Sequence, residues 1–402
     1  MKESADATRG RTLTVSLTVL CQSFQGLSLG AIALLLPIIR KDLGLSFTQA
    51  GSLMAATSLV YALMQIPAGY LSDRFNPKGL FTIGLLGSTI LALTFGLVTN
   101  YRQALANQII SGFFRALLFT PGLAILTGWF PPNRRATAIG LFWIGGGTGS
   151  VLFNLVGPIL VARFGWRFAF ISVASLGIMV TLLLLRFGKN PPTTIEPQRG
   201  NIFEALHLFR YKIMWLCGAL QYIRLGIMLS ITYWLPSLLV QEKGLSLQSV
   251  GFIIALQAVV MSPSNILGGY ISDRLRNPIL VIGASLVILA ITTALLVTVS
   301  NIIFLIAIIL VNGIFLQMYF GPLFSLPVEI LGVRKAGILI GFSNLFANLG
   351  GLSSTFLLGA LKDATGAFKP GFFTMSGACF LGVALTFVLA RMRHKALSPA
   401  SS

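Results

Sequence analysis

The chain has 402 residues, of which 55% are hydrophobic and only 10% are charged, and its formal net charge is +19. Soluble domains carry about 25% charged residues, so this composition excludes a water-exposed surface of ordinary polarity. Apolar stretches of about 18 or more residues recur along the chain, and each is long enough to cross the hydrocarbon layer of a membrane. The composition therefore predicts a protein that crosses a membrane many times.

Twelve apolar segments are predicted to cross the membrane as α-helices. In chain order they are 13–39, 48–71, 80–99, 104–129, 137–162, 167–187, 212–240, 246–271, 278–299, 303–329, 336–361 and 371–391. The longest hydrophilic stretch, Gly188–Tyr211, contains three prolines and separates six spans from six. The sequence thus predicts an all-α membrane protein with an N-terminal six-helix bundle (1–187), a cytoplasmic linker (188–211) and a C-terminal six-helix bundle (212–402).

The 29 lysines and arginines are distributed unevenly between the connections. Most of them lie at the two termini and in the even-numbered connections, which fall on the same side of the membrane. Basic loops stay in the cytoplasm, so both termini are predicted to be cytoplasmic, in the inner membrane of a bacterium. The net charge is therefore a topology signal and does not indicate nucleic-acid binding.

Neither the three cysteines nor the two histidines have metal-ligand spacing, so no metal or cofactor is predicted. We also expect the protein to be a monomer.

Three sequence landmarks of the first half return in the second half in the same order. They are GYLSDRFNPK (69–78) and GYISDRLRNP (269–278), NRRA (133–136) and VRKA (333–336), and the pairs Gly112/Pro121 and Gly313/Pro322. Matched landmarks in order indicate an internal duplication in which the two halves have parallel orientations.

The GYLSDR segment, with a lysine four residues further on, resembles the signature loop of the major facilitator superfamily, although Asn76 and Pro77 stand where that family often has Gly-Arg. The resemblance covers essentially the whole chain and implies two pseudo-symmetric bundles that carry a solute by alternating access. It also implies a charged latch between the halves on the cytoplasmic side; the alternative is that these charges only anchor the topology. The predicted latch residues are Asp73, Arg74, Arg134, Arg135, Asp273, Arg274, Glu329 and Arg334.

Two arginines lie near the middle of predicted spans. In the superfamily, spans one, four, seven and ten line the central cavity, and their midpoints here hold Gln25, Arg115, Arg224 and Gln317. An arginine at mid-bilayer costs about 2.5 kcal/mol or more to insert and usually faces a polar cavity. All ten acidic residues fall at predicted helix ends or in loops, so we expect an anionic substrate to pair with both arginines. The alternative is that backbone carbonyls and glutamines satisfy them.

Four further side chains on cavity helices are candidates for substrate contact: Gln22, Gln221, Tyr222 and Tyr319. The glycine-rich run Gly145–Gly149 is expected to allow close packing of the fifth span. The absence of acidic residues inside the spans favours anion exchange or uniport over proton antiport. The run WFPPNRRATAIG, followed by FGWRFAF, resembles organic-anion carriers of the superfamily.

The leading hypothesis is a secondary active or facilitative transporter of a small, carboxylate-type anion. The alternative is an efflux carrier for hydrophobic or amphipathic compounds, as in multidrug exporters. A sensor or a membrane enzyme finds no support, because no nucleophile and base have catalytic spacing.

Overall fold

The computed structural model describes residues 2–130, 135–191, 210–331 and 336–397. Within these ranges the chain forms twelve α-helices and no strand. In chain order they are α1 (Lys2–Asp42), α2 (Phe47–Arg74), α3 (Pro77–Phe95), α4 (Tyr101–Gly128), α5 (Arg135–Phe187), α6 (Lys212–Gln241), α7 (Leu247–Leu275), α8 (Pro278–Thr298), α9 (Ile302–Met318), α10 (Phe320–Leu331), α11 (Ala336–Thr365) and α12 (Lys369–Leu397). They follow the predicted spans, with α1 starting earlier and with differences in spans five, six and ten.

Helix α5 contains both the fifth and the sixth predicted spans. The two parts meet at Gly165, whose φ of +81° lies in the left-handed region that favours glycine. The apolar run Gly140–Phe187 has 48 residues, and Gly165 divides it into parts about 38 Å and about 33 Å long, each enough to cross a membrane once. Among the residues that the structure describes, nine helical runs are long and apolar enough to span a membrane, and this run is one of them.

The tenth predicted span is divided into two helices. Helix α9 ends at Met318 and α10 begins at Phe320, with Tyr319 between them. Pro322 explains the position of the break, because a proline ring clashes with the carbonyl group four residues earlier, here that of Met318. This carbonyl oxygen lies against Gly268 of α7, where an added Cβ would be only 1.6 Å from it. Only a glycine at this position accepts so close an approach.

The chain divides into two compact units, which are described separately. The first comprises Met1–Leu45, Ser52–Gln198 and Leu239–Ala255, and the second comprises Ser46–Gly51, Arg199–Leu238 and Leu256–Ser402. The unit boundaries thus fall inside α2, near the end of α6 and inside α7, as well as in the linker. Each of these three helices runs from one unit into the other.

Glycines bring helices into close contact within each unit. In the first unit, a Cβ on Gly26 of α1 would lie 1.9 Å from the backbone oxygen of Gly146 in α5. A Cβ on Gly149 would likewise lie 1.7 Å from the backbone oxygen of Ser23. The close packing expected of the Gly145–Gly149 run is therefore confirmed. In the second unit, Gly350 of α11 contacts the backbone of α6 in a similar way.

The first turn of α2 is clasped within the second unit. Ser46 and Gln49 form a capping box, in which each side chain accepts the other residue's backbone N–H at 3.0 Å. Asp363, near the end of α11, accepts the N–H groups of Phe47 at 2.9 Å and Thr48 at 2.6 Å, together with the Thr48 hydroxyl. We call these contacts of Ser46–Gln49 with Asp363 the α2 clasp. They satisfy backbone donors that a helix N-terminus otherwise leaves without partners.

The charge state of Asp363 follows from these contacts. Burial alone would raise the pKa of this carboxyl group, but hydrogen bonds from Thr48, Phe47 and Ser46 outweigh that effect and lower its pKa. Asp363 lies beyond the predicted span 336–361 and is exposed. Its carboxylate is therefore the form that caps α2.

An aromatic cluster lies beside the clasp. The Lys362 ammonium is 4.3 Å from the ring centre of Phe368 and 5.5 Å from that of Phe47, and the lysine is only 8% exposed. The Trp234 ring lies 5.9 Å from both of these rings, and its Nε1 donates to the backbone oxygen of Thr355 at 3.0 Å. Lys362, which the sequence places outside the spans, is thus a buried cation held against aromatic rings.

Candidate functional site

Arg224 is the most completely buried arginine of the second unit whose contacts are described. It is 3% exposed, and its Nε donates to Oε1 of Gln221 at 2.7 Å. Its Cζ lies 4.7 Å from the ring centre of Phe320 and 5.8 Å from that of Phe324. Arg224 forms no ion pair with any of the described carboxylates. The guanidinium group is therefore held by an amide and an aromatic surface, and its charge is not neutralised by them.

Local helix geometry brings these four side chains together. Gln221 and Arg224 are three residues apart on α6, so they lie on one face of that helix. Phe320 and Phe324 are four residues apart on α10, and their ring centres are 4.9 Å apart. Phe320 is the first residue of α10, so the helix break at Tyr319 sets the place of its ring. Two unrelated features of the sequence, a polar pair and a proline break, thus build one site.

Two buried polar atoms near this arginine lack hydrogen-bond partners among the described residues. They are Nε2 of Gln221 and the hydroxyl of Tyr319, and both residues are fully buried. Arg224 and Tyr319 are also close enough to interact electrostatically. A buried polar group without a partner costs about 1–3 kcal/mol, so such atoms indicate a place where a ligand could bind.

The first unit contains a second buried arginine. Arg115 of α4 is 6% exposed, and its Nη2 donates to Oγ of Ser28 in α1 at 3.5 Å. Gln22 and Gln25, also on α1, each have a buried Oε1 without a hydrogen-bond partner in the described part of the chain. The structure thus places a cation and two amide oxygens without described partners on the helices that sequence analysis predicted to line a cavity.

The remaining predicted contact residues lie in different surroundings. Tyr222 is 37% exposed, and its hydroxyl is hydrogen-bonded to Ser353 of α11. Gln317 is half-buried on α9, two residues before the break at Tyr319. Sequence analysis did not identify Phe320 or Phe324. Their spacing of four residues, directly after the midpoint of span ten, was the available signal.

Three of the predicted latch residues have described side chains. Asp273 and Arg274 are exposed, and Asp273 forms no ion pair with a described residue. Arg74 is exposed, and its guanidinium lies 4.5 Å from the ring centre of Tyr70. Outside the described residues lie the side chains of Asp73, Arg135 and Glu329, and the whole of Arg134 and Arg334. The latch stays a prediction.

Comparison with known proteins adds sequence relatives over most of the chain. A family model described as Major Facilitator Superfamily matches residues 18–355. The chain is 28% identical to a protein named probable sulfoacetate transporter from Cupriavidus necator, over 88% of this chain and 87% of that protein. It is 26% identical to the hexuronate transporter of Bacillus subtilis, over 88% and 89%. It is 23% identical to the D-galactonate transporter of Escherichia coli, over 87% and 88%.

Solved structures share the fold of this chain. A bacterial homologue of the human lysosomal transporter Spinster, in an inward-facing and occupied conformation, matches with a TM-score of 0.82 at 18% identity. The match covers 97% of this chain and 99% of that one. The unoccupied form of that homologue matches with a TM-score of 0.83 at 20% identity. At these identities the likeness shows the fold alone.

Proposed function

The chain belongs to the Major Facilitator Superfamily and is a multi-pass membrane transporter, and from this premise we propose that its substrate is a small organic anion. Three of its relatives are named for sulfoacetate, hexuronate and D-galactonate, all of which are organic anions. We propose movement by alternating access, as exchange or uniport, in a bacterial inner membrane with both termini in the cytoplasm. The predicted latch belongs to the same proposal.

Arg224 is the observation that carries this proposal. An isolated charge is costly to bury, and proteins normally pair it with an opposite charge. Arg224 contacts an amide and aromatic rings, and these contacts leave its positive charge without a described counter-ion. A carboxylate or sulfonate bound to the guanidinium would supply that charge through two parallel hydrogen bonds. A neutral substrate would not offset the free-energy cost of burying the charge of Arg224.

The first unit contributes to the same proposal through Arg115. This arginine is buried on α4 beside α1, whose Gln22 and Gln25 carry unsatisfied amide oxygens. We propose that Arg115 contacts the anion and that the glutamines contact hydroxyl groups of the substrate, since a hydroxyl can donate to an amide oxygen. Gln317 and Tyr222 remain proposed contacts with fewer supporting observations.

The test is anion binding to purified Arg224→Gln, which keeps hydrogen-bonding capacity but removes the charge. The probes are glucuronate, D-galactonate and sulfoacetate, each titrated by thermal shift and calorimetry. A hydrogen bond to a charged group contributes about 1.5–3 kcal/mol, so we expect the affinity to fall about 10- to 100-fold. Arg224→Lys should recover only part of it, because an ammonium group cannot form the planar fork.

Two outcomes would contradict the proposal. Wild-type affinity in Arg224→Gln would show that the anion does not bind this arginine. Stabilisation of the wild type by neutral amphipathic compounds, with none by the three anions, would support an efflux carrier instead.

A further inference from the structure

We propose that Gln221 and Phe320 are positioning residues, which present only the terminal edge of the Arg224 guanidinium to the substrate. This inference rests on the proposed function and names the chemistry that the site selects. The ligand group is one with two oxygens in one plane at the end of the molecule, as in a carboxylate, or two of the oxygens of a sulfonate.

One edge of the Arg224 guanidinium is already occupied within the protein. A guanidinium offers two edges with parallel N–H donors, a side edge with Nε and one Nη, and a terminal edge with both Nη atoms. Nε of Arg224 donates to Oε1 of Gln221 at 2.7 Å, so the side edge is already occupied. Within the described part of the chain, Arg224 forms no other hydrogen bond. The terminal edge is thus the one left for a substrate.

Aromatic contacts restrain the orientation of the Arg224 guanidinium. The Phe320 ring centre lies 4.7 Å from Cζ of Arg224, and the neighbouring Phe324 ring extends this aromatic surface. Contact with a ring face restrains a cation and is strengthened where water is excluded. Together with the bond to Gln221, it holds a flexible side chain in one orientation before the substrate arrives. Such preorganisation raises affinity because less freedom is lost on binding.

Tyr319 places a further hydrogen-bond donor beside the arginine. The hydroxyl of Tyr319 is buried, lies near enough to Arg224 to interact with its charge, and has no described hydrogen-bond partner. Tyr319 occupies the break between α9 and α10, directly before Phe320. A further oxygen of the substrate, such as a hydroxyl group near the carboxylate, would satisfy it.

The main test is Gln221→Glu, which changes one amide to a carboxylate at nearly constant volume. A glutamate would place a negative charge at hydrogen-bond distance from Nε and neutralise the arginine. We expect affinity for the best of the three anionic probes to fall at least 50-fold, while the melting temperature stays equal or rises. A structural role for Gln221 would leave binding unchanged, so affinity within threefold of wild type would refute its positioning role.

A second pair of variants keeps the inference testable if Gln221→Glu fails to fold. Phe320→Leu should weaken binding about tenfold, and Phe320→Tyr, which retains the ring, should restore affinity to within threefold. Phe346→Leu is the matched control, because Phe346 packs on Trp215 in the same unit, 5.5 Å between ring centres. Equal losses in Phe320→Leu and the control, or none in either, would refute the role of the ring.

The outcomes separate this inference from the proposed function. If Arg224→Gln binds the probe like the wild type, the proposed function itself fails. If Arg224→Gln loses binding while Gln221→Glu and Phe320→Leu retain it, the arginine binds the anion but is not positioned by these two residues.

Discussion

The α2 clasp can be tested by replacing Asp363 with alanine. This change removes the acceptor for the N–H groups of Phe47 and Thr48, while the capping box of Ser46 and Gln49 remains. Loss of a helix cap costs about 1 kcal/mol, which corresponds to about fivefold faster opening of the capped turn. Over a chain of this length the same energy moves the melting temperature by only about 1 °C, so a local measurement is needed.

Hydrogen exchange followed by mass spectrometry provides that local measurement. We expect a peptide covering 44–54 to exchange about fivefold faster in Asp363→Ala, because local opening becomes easier. The start of α4 serves as an internal control, because it is capped by Asn100, the residue directly before this helix, and not by Asp363. Unchanged exchange at 44–54 would refute the assignment of Asp363 as the cap of α2.

The pH dependence of the clasp has a definite sign. The pKa of Asp363 is lower in the folded protein than its ordinary value of 3.8, so the unfolded chain binds the proton more readily. The contribution of Asp363 is therefore complete above its ordinary pKa and is lost as the pH falls through the lowered value. Protection of 44–54 from exchange, relative to the intrinsic exchange rate at each pH, should fall on acidification more in the wild type than in Asp363→Asn. An equal fall in both proteins would contradict this.

Two further predictions concern packing and topology. Gly26→Ala should destabilise the protein by about 1–3 kcal/mol, because the added methyl group meets the backbone oxygen of Gly146. Gly140→Ala is the control, because a Cβ there would have nothing within 4 Å. Equal melting temperatures for the two variants would contradict the packing of Gly26 against Gly146. Both termini are predicted to be cytoplasmic, so a green fluorescent protein fused after Ser402 should fluoresce, and alkaline phosphatase fused at the same place should be inactive. An active phosphatase would overturn that topology.

Most of the helical architecture could be predicted from the sequence, because span length and hydropathy are set by the membrane itself. The break in span ten could not. Pro322 disrupts its helix, whereas α4 continues through Pro121 at the corresponding position of the first half. Membrane helices tolerate proline when neighbouring groups satisfy the freed backbone atoms, and those neighbours are not visible in a local sequence window.

The candidate site was predictable in part for a similar reason. Arg224 could be identified because it lies near the middle of a predicted span, while all ten acidic residues lie at predicted span ends or in loops. Phe320 could not be singled out among 30 phenylalanines, since its contact with Arg224 depends on where α10 begins. Lys362 is similar, because the ring of Phe47 that covers it is more than 300 positions away in the chain.

The unit boundaries inside α2, α6 and α7 have a consequence for recombining this protein with its relatives. Cutting the gene within the linker gives two fragments, and neither encodes the whole of one unit, because Ser46–Gly51 and Leu239–Ala255 stay with the wrong fragment. A chimera joined at the linker would therefore mismatch the clasp, placing a foreign α2 start against Asp363. Exchanging Ser46–Gly51 together with the C-terminal half, while Leu239–Ala255 stays with the N-terminal half, keeps each inherited set of contacts with its own partners.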